Sequence, residues 1–308
     1  MAQTPAEIVV VGSCNVDLVT VVPRLPVRGE TLTGTSFGIY LGGKGLNQAV
    51  AARRCGAAVA MVARVGHDDF GARVRSTLDD EGIMITAMLT DEIEPTGTAL
   101  ITVEEGSGEN NIVVVPGANG RLTRADVTRA INTIQQANVV LLQLEIPFDT
   151  VVHTAHIAHA SGAKVVLTPA PAQPLPPELL AATDVLLPNQ VELSQVLGAD
   201  VTPREGARAL IERGCQAVVV TLGSKGALLV TADDETSIPA IPVQAVDTVA
   251  AGDAFAGALA ALLAQGSPLA AALRYATAAG ALAVTKAGAL PSLPTRAAIE
   301  QLLNQQAT

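Results

Sequence analysis

Short unbroken apolar runs recur along the chain, and most are followed by a stretch with helical spacing. EIVVVG is a buried-strand pattern ending in glycine, and AVAMVARVG, NVVLLQLE, KVVLTPA, DVLLPN and AVVVTLG repeat it. Between these runs GLNQAVAARRCG, FGARVRSTLDDEG, DTVVHTAHIAHASG, QVELSQVLG and PREGARALIERG predict helices, each ending near a glycine suited to a C-cap. Strands buried on both faces, alternating with helices, predict an α/β fold on a mostly parallel sheet. The last third, from AGDAFAGALAALLAQG through PTRAAIEQLLNQQ, predicts mainly Ala-rich helix.

Two segments break this rhythm. VDLVTVVPRLPVRGETLTGTSFGIY is strand-like and punctuated by Pro and Gly, with no helix. TGTALITVEEGSGENNIVVVPG predicts a hairpin, two β-branched runs around a polar turn. Both lie outside the α/β rhythm, so they are expected to form one small β-sheet lid, from about residues 17–40 and 97–116, on a single domain spanning 1–308. The Pro-rich TPAPAQPLPPE predicts a stiff surface connection.

Composition narrows the partners. Apolar residues make up 49% of the 308, Trp is absent and aromatics are 2%, so the core must be built from Ala, Val, Leu and Ile. A net charge of −10 is a poor match for nucleic acid, which demands a Lys/Arg surface. Cys14, Cys55 and Cys215 are far apart and show no metal or disulfide spacing, so they are expected as buried thiols in a reducing compartment, the cytoplasm. The start, MAQTPAEIVVVG, lacks the basic region of a signal peptide, and no uncharged run has membrane length.

In open α/β sheets, ligands bind beyond the carboxyl ends of the strands, so polar residues following strands are the candidates. Asn15 and Asp17 follow the first strand; Gly43, Lys44 and Asn47 open the first helix. Glu145, Asn189, Glu192 and the turn Leu222-Gly223-Ser224-Lys225-Gly226 follow later strands. Each also has a plain structural reading: Asn15 and Asp17 as a turn, Glu192 as a first-turn helix acid, LGSKG as a hairpin turn. His153, His156 and His159 share helical spacing, but His153 and His156 lie in an Ala/Val-rich helix with no acid or thiol ligand nearby, which predicts a packing or surface role.

DTVAAGDAFAGALAALL is more specific. A loop of small residues runs straight into a long helix, so the backbone N–H groups of Ala250, Ala251 and Gly252 are placed to face an anion. An acid in that loop opposes anion binding unless it performs chemistry. Asp253 is therefore the candidate base, and the combination favours phosphoryl transfer to a hydroxyl. GIYLGGKGLNQAV nearly spells a phosphate-binding loop from Gly38 to Lys44, but Gly45 replaces the Mg²⁺-binding hydroxyl. It is either a chance match or a loop for another ligand.

GSCNVD, GGKGLNQAVAA, NNIVVVPGAN, PNQVE, TLGSKG and DTVAAGDAFAGAL, in this order, resemble the motifs of the ribokinase-like (PfkB-type) carbohydrate kinases over essentially the whole chain. The resemblance implies a three-layer ribokinase-like sandwich with a β-lid that often doubles as a dimer surface. It implies an ATP-dependent kinase acting on the 5-hydroxyl of D-ribose, with other sugars or nucleosides of the same fold family, or a non-catalytic sugar sensor, as the rivals. The Gly-Gly loop would then receive sugar, bound by Asn15, Asp17, Gly43, Lys44, Asn47, Glu145 and Asp253. Asn189, Thr221, Leu222, Gly223, Ser224, Lys225, Gly226, Gly252 and Thr277 would meet the nucleotide. Mg²⁺ would be organised by Asn189 and Glu192, and an activating K⁺ by Asp247, Val249, Ala283, Lys286, Gly288 and Ser292. Two departures stand out: Val249 and Ala250 replace Thr and Gly of the common late motif, and Thr168 replaces Asn before the proline.

Overall fold

The structure, a computed structural model, describes residues 6–306. Residues 1–5, the start of the amino-terminal stretch discussed above, lie outside the described residues. In chain order the strands are β1 (Ile8–Val11), β2 (Asn15–Val22), β3 (Ser36–Gly42), β4 (Val59–Val62), β5 (Arg64–Gly66), β6 (Leu89–Asp91), β7 (Gly97–Glu104), β8 (Asn110–Val115), β9 (Val139–Leu142), β10 (Lys164–Leu167), β11 (Val185–Leu186), β12 (Ala217–Thr221), β13 (Ala227–Thr231) and β14 (Glu235–Ile238). The helices are α1 (Lys44–Arg54), α2 (Asp69–Asp80), α3 (Arg124–Arg129), α4 (Ile131–Gln135), α5 (Phe148–Ser161), α6 (Pro177–Ala181), α7 (Gln190–Leu197), α8 (Pro203–Glu212), α9 (Ala251–Ala264), α10 (Leu269–Ala283), α11 (Ala289–Ser292) and α12 (Arg296–Gln306).

The central sheet has eight strands in the order β14-β13-β12-β11-β10-β9-β1-β4. Its pairings are parallel except at one edge, where β13 runs antiparallel to both β12 and β14. Every residue of β1 is buried, and alternate side chains serve different cores. Ile8 and Val10 join the cluster under α1, α9 and α10, while Val9 and Val11 join the cluster under α3 to α8. This is the expected three-layer sandwich. The shortage of aromatics is met by close approach of Ala-rich helices. A Cβ on Gly257 of α9 would lie 2.5 Å from the Ala51 Cβ of α1, so that crossing depends on a bare glycine.

The two strand-like segments meet in a separate four-stranded sheet, β3-β2-β7-β8. β2 pairs antiparallel with β3 and parallel with β7, and β7 pairs antiparallel with β8 as the hairpin expected from the sequence. Register assigns its faces. Asn15, Asp17, Ala99 and Val114 share one face, while Phe37, Ile39, Leu100 and Val113 share the other.

Three local expectations need correction. AVAMVARVG is two strands, β4 in the central sheet and β5 paired with β6. DVLLPN yields only the two-residue β11. The Pro-rich connection is not wholly superficial: Pro169, Ala170 and Leu175 are buried, and Leu144 N–H donates to the Ala170 carbonyl. Leu175 joins the core layer with α5 and α6, and Ala170 borders the cavity at the end of the sheet, which stiffness alone did not indicate.

Candidate active site

The polar residues that follow β1, β9, β10, β11 and β12 converge at one end of the central sheet, where α1 and α9 begin. Gly43 opens α1 with φ of 92°, and a Cβ there would lie 2.7 Å from the Asn15 nitrogen. At Gly45 a Cβ would lie 2.6 Å from the Ser13 nitrogen. Gly45 therefore lacks a hydroxyl because any side chain would strike the turn after β1. The α1 N-terminus also has an anion already: Glu145 Oε2 accepts from Lys44 N–H at 3.0 Å and from the Ser13 hydroxyl at 2.5 Å. A carboxylate stands where a phosphate-binding loop would hold phosphate, so the near match does not describe a nucleotide cradle.

Asn15 is 4% exposed and is fixed by Asn119, whose Nδ2 donates to Asn15 Oδ1 at 2.7 Å. Asn119 also accepts from Cys14 N–H and donates to the Cys14 carbonyl. Asp17 lies against Gly42, where a Cβ would be 2.3 Å from its Oδ2. Burial, and then the charge of Glu145, push the Asp17 carboxyl up to about 6.

The late loop takes the expected form. Ala250 is the α9 N-cap with φ of 59°, the sole positive-φ residue other than glycine among the described residues. Ala251 N–H reaches back to the Thr248 carbonyl at 3.3 Å, so one of the three expected anion donors is engaged in a long turn bond. Asp253 follows, 8% exposed, with both carboxylate oxygens held by α1: Asn47 Nδ2 donates to Oδ2 and Gln48 Nε2 to Oδ1, each at 3.0 Å. Burial raises the Asp253 pKa, while Lys44 and the two amides oppose the rise and Glu145 adds to it. Burial disfavours the Lys44 ammonium, yet Asp253, Glu145 and Glu192 together hold its pKa above the ordinary value.

Three cavities line up across this end of the sheet. One of about 830 Å³ is bounded by Asn15, Lys44, Asn119 and Glu145. A middle one of about 210 Å³ is bounded by Lys44, Asn189, Glu192, Ala250, Gly252 and Asp253. The third, about 590 Å³, is bounded by Thr221, Ser224, Gly226, Gly252, Thr277 and apolar residues such as Ile241 and Val243. Lys44 borders the first two and Gly252 the last two, so Asp253 lies in a trough with apolar walls at both ends, one end carrying the charged Lys44 and Glu145 beside Asn15 and Asn119, the other bordered by no charged side chain among the described residues.

Several expected site residues stand differently. Asn47 directs its amide at Asp253. Asn189 and Glu192 form a capping box on α7, each side chain accepting from the other's N–H at 2.8 Å, so the helix-acid reading of Glu192 holds while both residues still border the middle cavity. The LGSKG turn does join β12 to β13; Gly223, Ser224 and Gly226 border the apolar cavity, but Leu222 packs on the core and Lys225 is exposed. Thr277 borders that cavity with its hydroxyl bonded to the Leu273 carbonyl. Asp247 accepts from Val249 N–H and Gly288 N–H, tying the loop before α9 to the segment after α10. Ala283 and Ser292 are buried beside that junction and Lys286 is exposed. His153 meets the Thr128 hydroxyl and His156 the Glu178 carbonyl, both at the surface. All three cysteines are free and buried.

Sequence reasoning missed Ser13, Gln48, Asn119 and Gln143. Each is a fully or nearly fully buried polar residue. For Ser13, Gln48 and Gln143 a signal was present, since each lies inside or just after a buried run where a polar side chain needs a partner; Asn119 follows the exposed β8 and had none.

Comparison with known proteins places nearly the whole chain in one family. The model of the pfkB family carbohydrate kinases matches residues 5–296. The chain is 41% identical to the ribokinase of Bacillus subtilis, over 97% of this chain and 99% of that protein. It is 37% identical to the deoxyribokinase of Salmonella typhi, over 94% of this chain and 96% of that protein. The structure of Arabidopsis thaliana ribokinase complexed with ribose and ATP superposes with a TM-score of 0.89 at 33% identity, covering 97% of this chain and 99% of that one. With a family model spanning nearly the whole chain, this protein belongs to the pfkB family of carbohydrate kinases.

Proposed function

We propose that this chain transfers the γ-phosphoryl group of ATP to the 5-hydroxyl of D-ribose, giving D-ribose 5-phosphate and ADP. The observation that carries the reading is the position of Asp253: a buried carboxylate at the start of α9, between a cavity bordered by charged and amide side chains and one bordered by none that is charged among the described residues. The sugar occupies the charged end, met by Asn15, Asp17, Gly43, Lys44 and Glu145. The nucleotide occupies the end bordered by Thr221, Ser224, Gly226 and Thr277. The Asp253 carboxylate takes the proton of the sugar hydroxyl as its oxygen bonds to the γ-phosphorus and the bond from that phosphorus to the β-bridging oxygen breaks. Backbone N–H groups of Ala250 to Gly252, with the Lys44 ammonium, stabilise the charge spread over the transferring group. The kinase reading is favoured over a sugar sensor because a sensor has no use for a base buried at this cost.

The donor set fits the expected ions. Glu192 and Asn189 offer oxygens at the middle cavity, suited to Mg²⁺ that also binds phosphate oxygens and neutralises their charge. We read the carbonyls of Val249, Ala283, Lys286 and Gly288, the Asp247 carboxylate and the Ser292 hydroxyl as a donor set for K⁺, a reading supported by the bond from Gly288 N–H to Asp247 that ties the two loops. We further read the four-stranded sheet as a lid over the sugar, and its outer apolar face as a homodimer surface. The buried thiols suit the cytoplasm.

A coupled ADP-release assay with ribose, 2-deoxyribose, fructose and adenosine tests the reading. Ribose should give the highest kcat/KM. ADP release no faster with ribose than without sugar, or a clear preference for adenosine, would refute it.

A further inference from the structure

A chain of buried amides stands behind Asp253. Gln48 and Gln143 are both fully buried. Gln48 Nε2 donates to Asp253 Oδ1 at 3.0 Å and to the Thr168 hydroxyl at 3.3 Å, and Gln143 Nε2 donates to Gln48 Oε1 at 2.6 Å. A carboxylate only accepts, so Gln48 must present its NH₂ group to Asp253. Its Oε1 then faces Gln143, which must present its own NH₂. Gln143 Oε1 is left buried without a partner among the described residues, pressed against Gly12, where a Cβ would lie 2.0 Å away. The orientation of both amides is thus dictated from one end by the carboxylate, and an orphaned oxygen at the other end marks what this order costs.

We propose that Gln48, oriented by Gln143, is a positioning residue for phosphoryl transfer, fixing the Asp253 carboxylate so that one oxygen edge faces the sugar hydroxyl. This rests on Asp253 being the base. The groups facing Asp253 are the Lys44 ammonium, the Asn47 and Gln48 amides on α1, the Glu145 carboxylate after β9 and the Thr168 hydroxyl after β10 by way of Gln48. Of these, Gln48 is a neutral donor with no path to the sugar except through Asp253. An amide donor favours the ionised carboxylate, so its removal leaves a base that is harder to ionise and free to turn.

The test is the pH dependence of kcat at saturating ribose and Mg-ATP, which reports groups in the ternary complex rather than Asp17 in the free enzyme. Gln48→Met keeps the side-chain volume and removes the donor. The acid limb should move up by about one pH unit, with kcat on the plateau down roughly tenfold, the scale of one hydrogen bond to a charge. Ribose affinity by calorimetry should stay within about twofold, since no contact to sugar is lost. Gln143→Met should shift the limb in the same direction by less, and it decides the matter alone if Gln48→Met does not fold. An acid limb that stays in place in the folded variants, even with kcat lowered, overturns the proposal. Asp253→Asn separates the two levels: if it remains active, the base assignment fails and this inference with it. If it is inactive while the Gln48→Met limb is unmoved, this inference alone fails.

Discussion

Asp17 and Ala250 each carry an energetic cost in the folded protein. The Asp17 carboxyl titrates near 6 in the folded protein against an ordinary value of 3.8, raised by burial and by Glu145. Its folded pKa lies above its unfolded one, so its contribution to stability is full below about pH 4 and is lost as pH rises through 6. At neutral pH burial and Glu145 leave Asp17 with a disfavoured charge, which sugar hydroxyls would relieve by donating to it if Asp17 binds the sugar as proposed. The KM for ribose should therefore rise as pH falls below about 6, and Asp17→Asn should abolish that dependence; steady-state kinetics from pH 5 to 8 reads both. Ala250 sits in left-handed backbone, where an L side chain costs roughly 1–2 kcal/mol. Ala250→Gly should raise stability by about 1 kcal/mol or less, because glycine returns part of the gain to the unfolded chain. A urea midpoint that falls instead would mean the methyl contributes packing against the α9 core that outweighs the strain.

Elements with strong periodicity were legible before any coordinates. The runs around Val10, Leu141 and Val219 became central strands, and the glycines at 162 and 198 became left-handed helix ends. What stayed hidden was decided across space. The break between β4 and β5 at Ala63 separates two sheets, and no local signal in an apolar run marks it. The role of Gly45 was open until the turn after β1 was seen pressing on it. The capping box of Asn189 and Glu192 was half visible: Glu192 reads as a helix acid, and its place at the middle cavity comes from the packing of α7. Asp253 was singled out from the sequence and is buried at the start of α9, while Gln48, Asn119 and Gln143 needed the tertiary fold to reveal their partners. The loop pair joined at Asp247 carries its own prediction. If a cation fixes that junction, K⁺ should raise activity well above Na⁺ at equal ionic strength, and Asp247→Ala should remove most of the difference. Equal rates in K⁺, Na⁺ and a bulky organic cation would leave Asp247 as a plain turn cap.

For the whole molecule, the two faces of the small sheet pose the question of assembly. One face carries Asp17 together with Asn15 and Val114, which border the cavity of about 830 Å³, and the other presents Phe37 at 63%, Leu100 at 48% and Val113 at 58% exposure. An apolar face of this kind is a usual mark of an interface, and a second copy covering it would also steady the sheet over the sugar. Light scattering should give twice the 31.3 kDa chain mass, and Leu100→Glu should shift the protein to monomer with a raised KM for ribose. A monomeric parent protein with full activity would remove the interface from the account. The central claim is narrower and rests on one carboxylate. The measurement that tests it most directly is kcat of Asp253→Asn, with folding checked by thermal melting and ribose binding by calorimetry. The account predicts a kcat lower by roughly 10²- to 10⁴-fold, the range for loss of a positioned base, with ribose binding weakened far less. A folded Asp253→Asn protein that phosphorylates ribose at nearly the parent rate would contradict it.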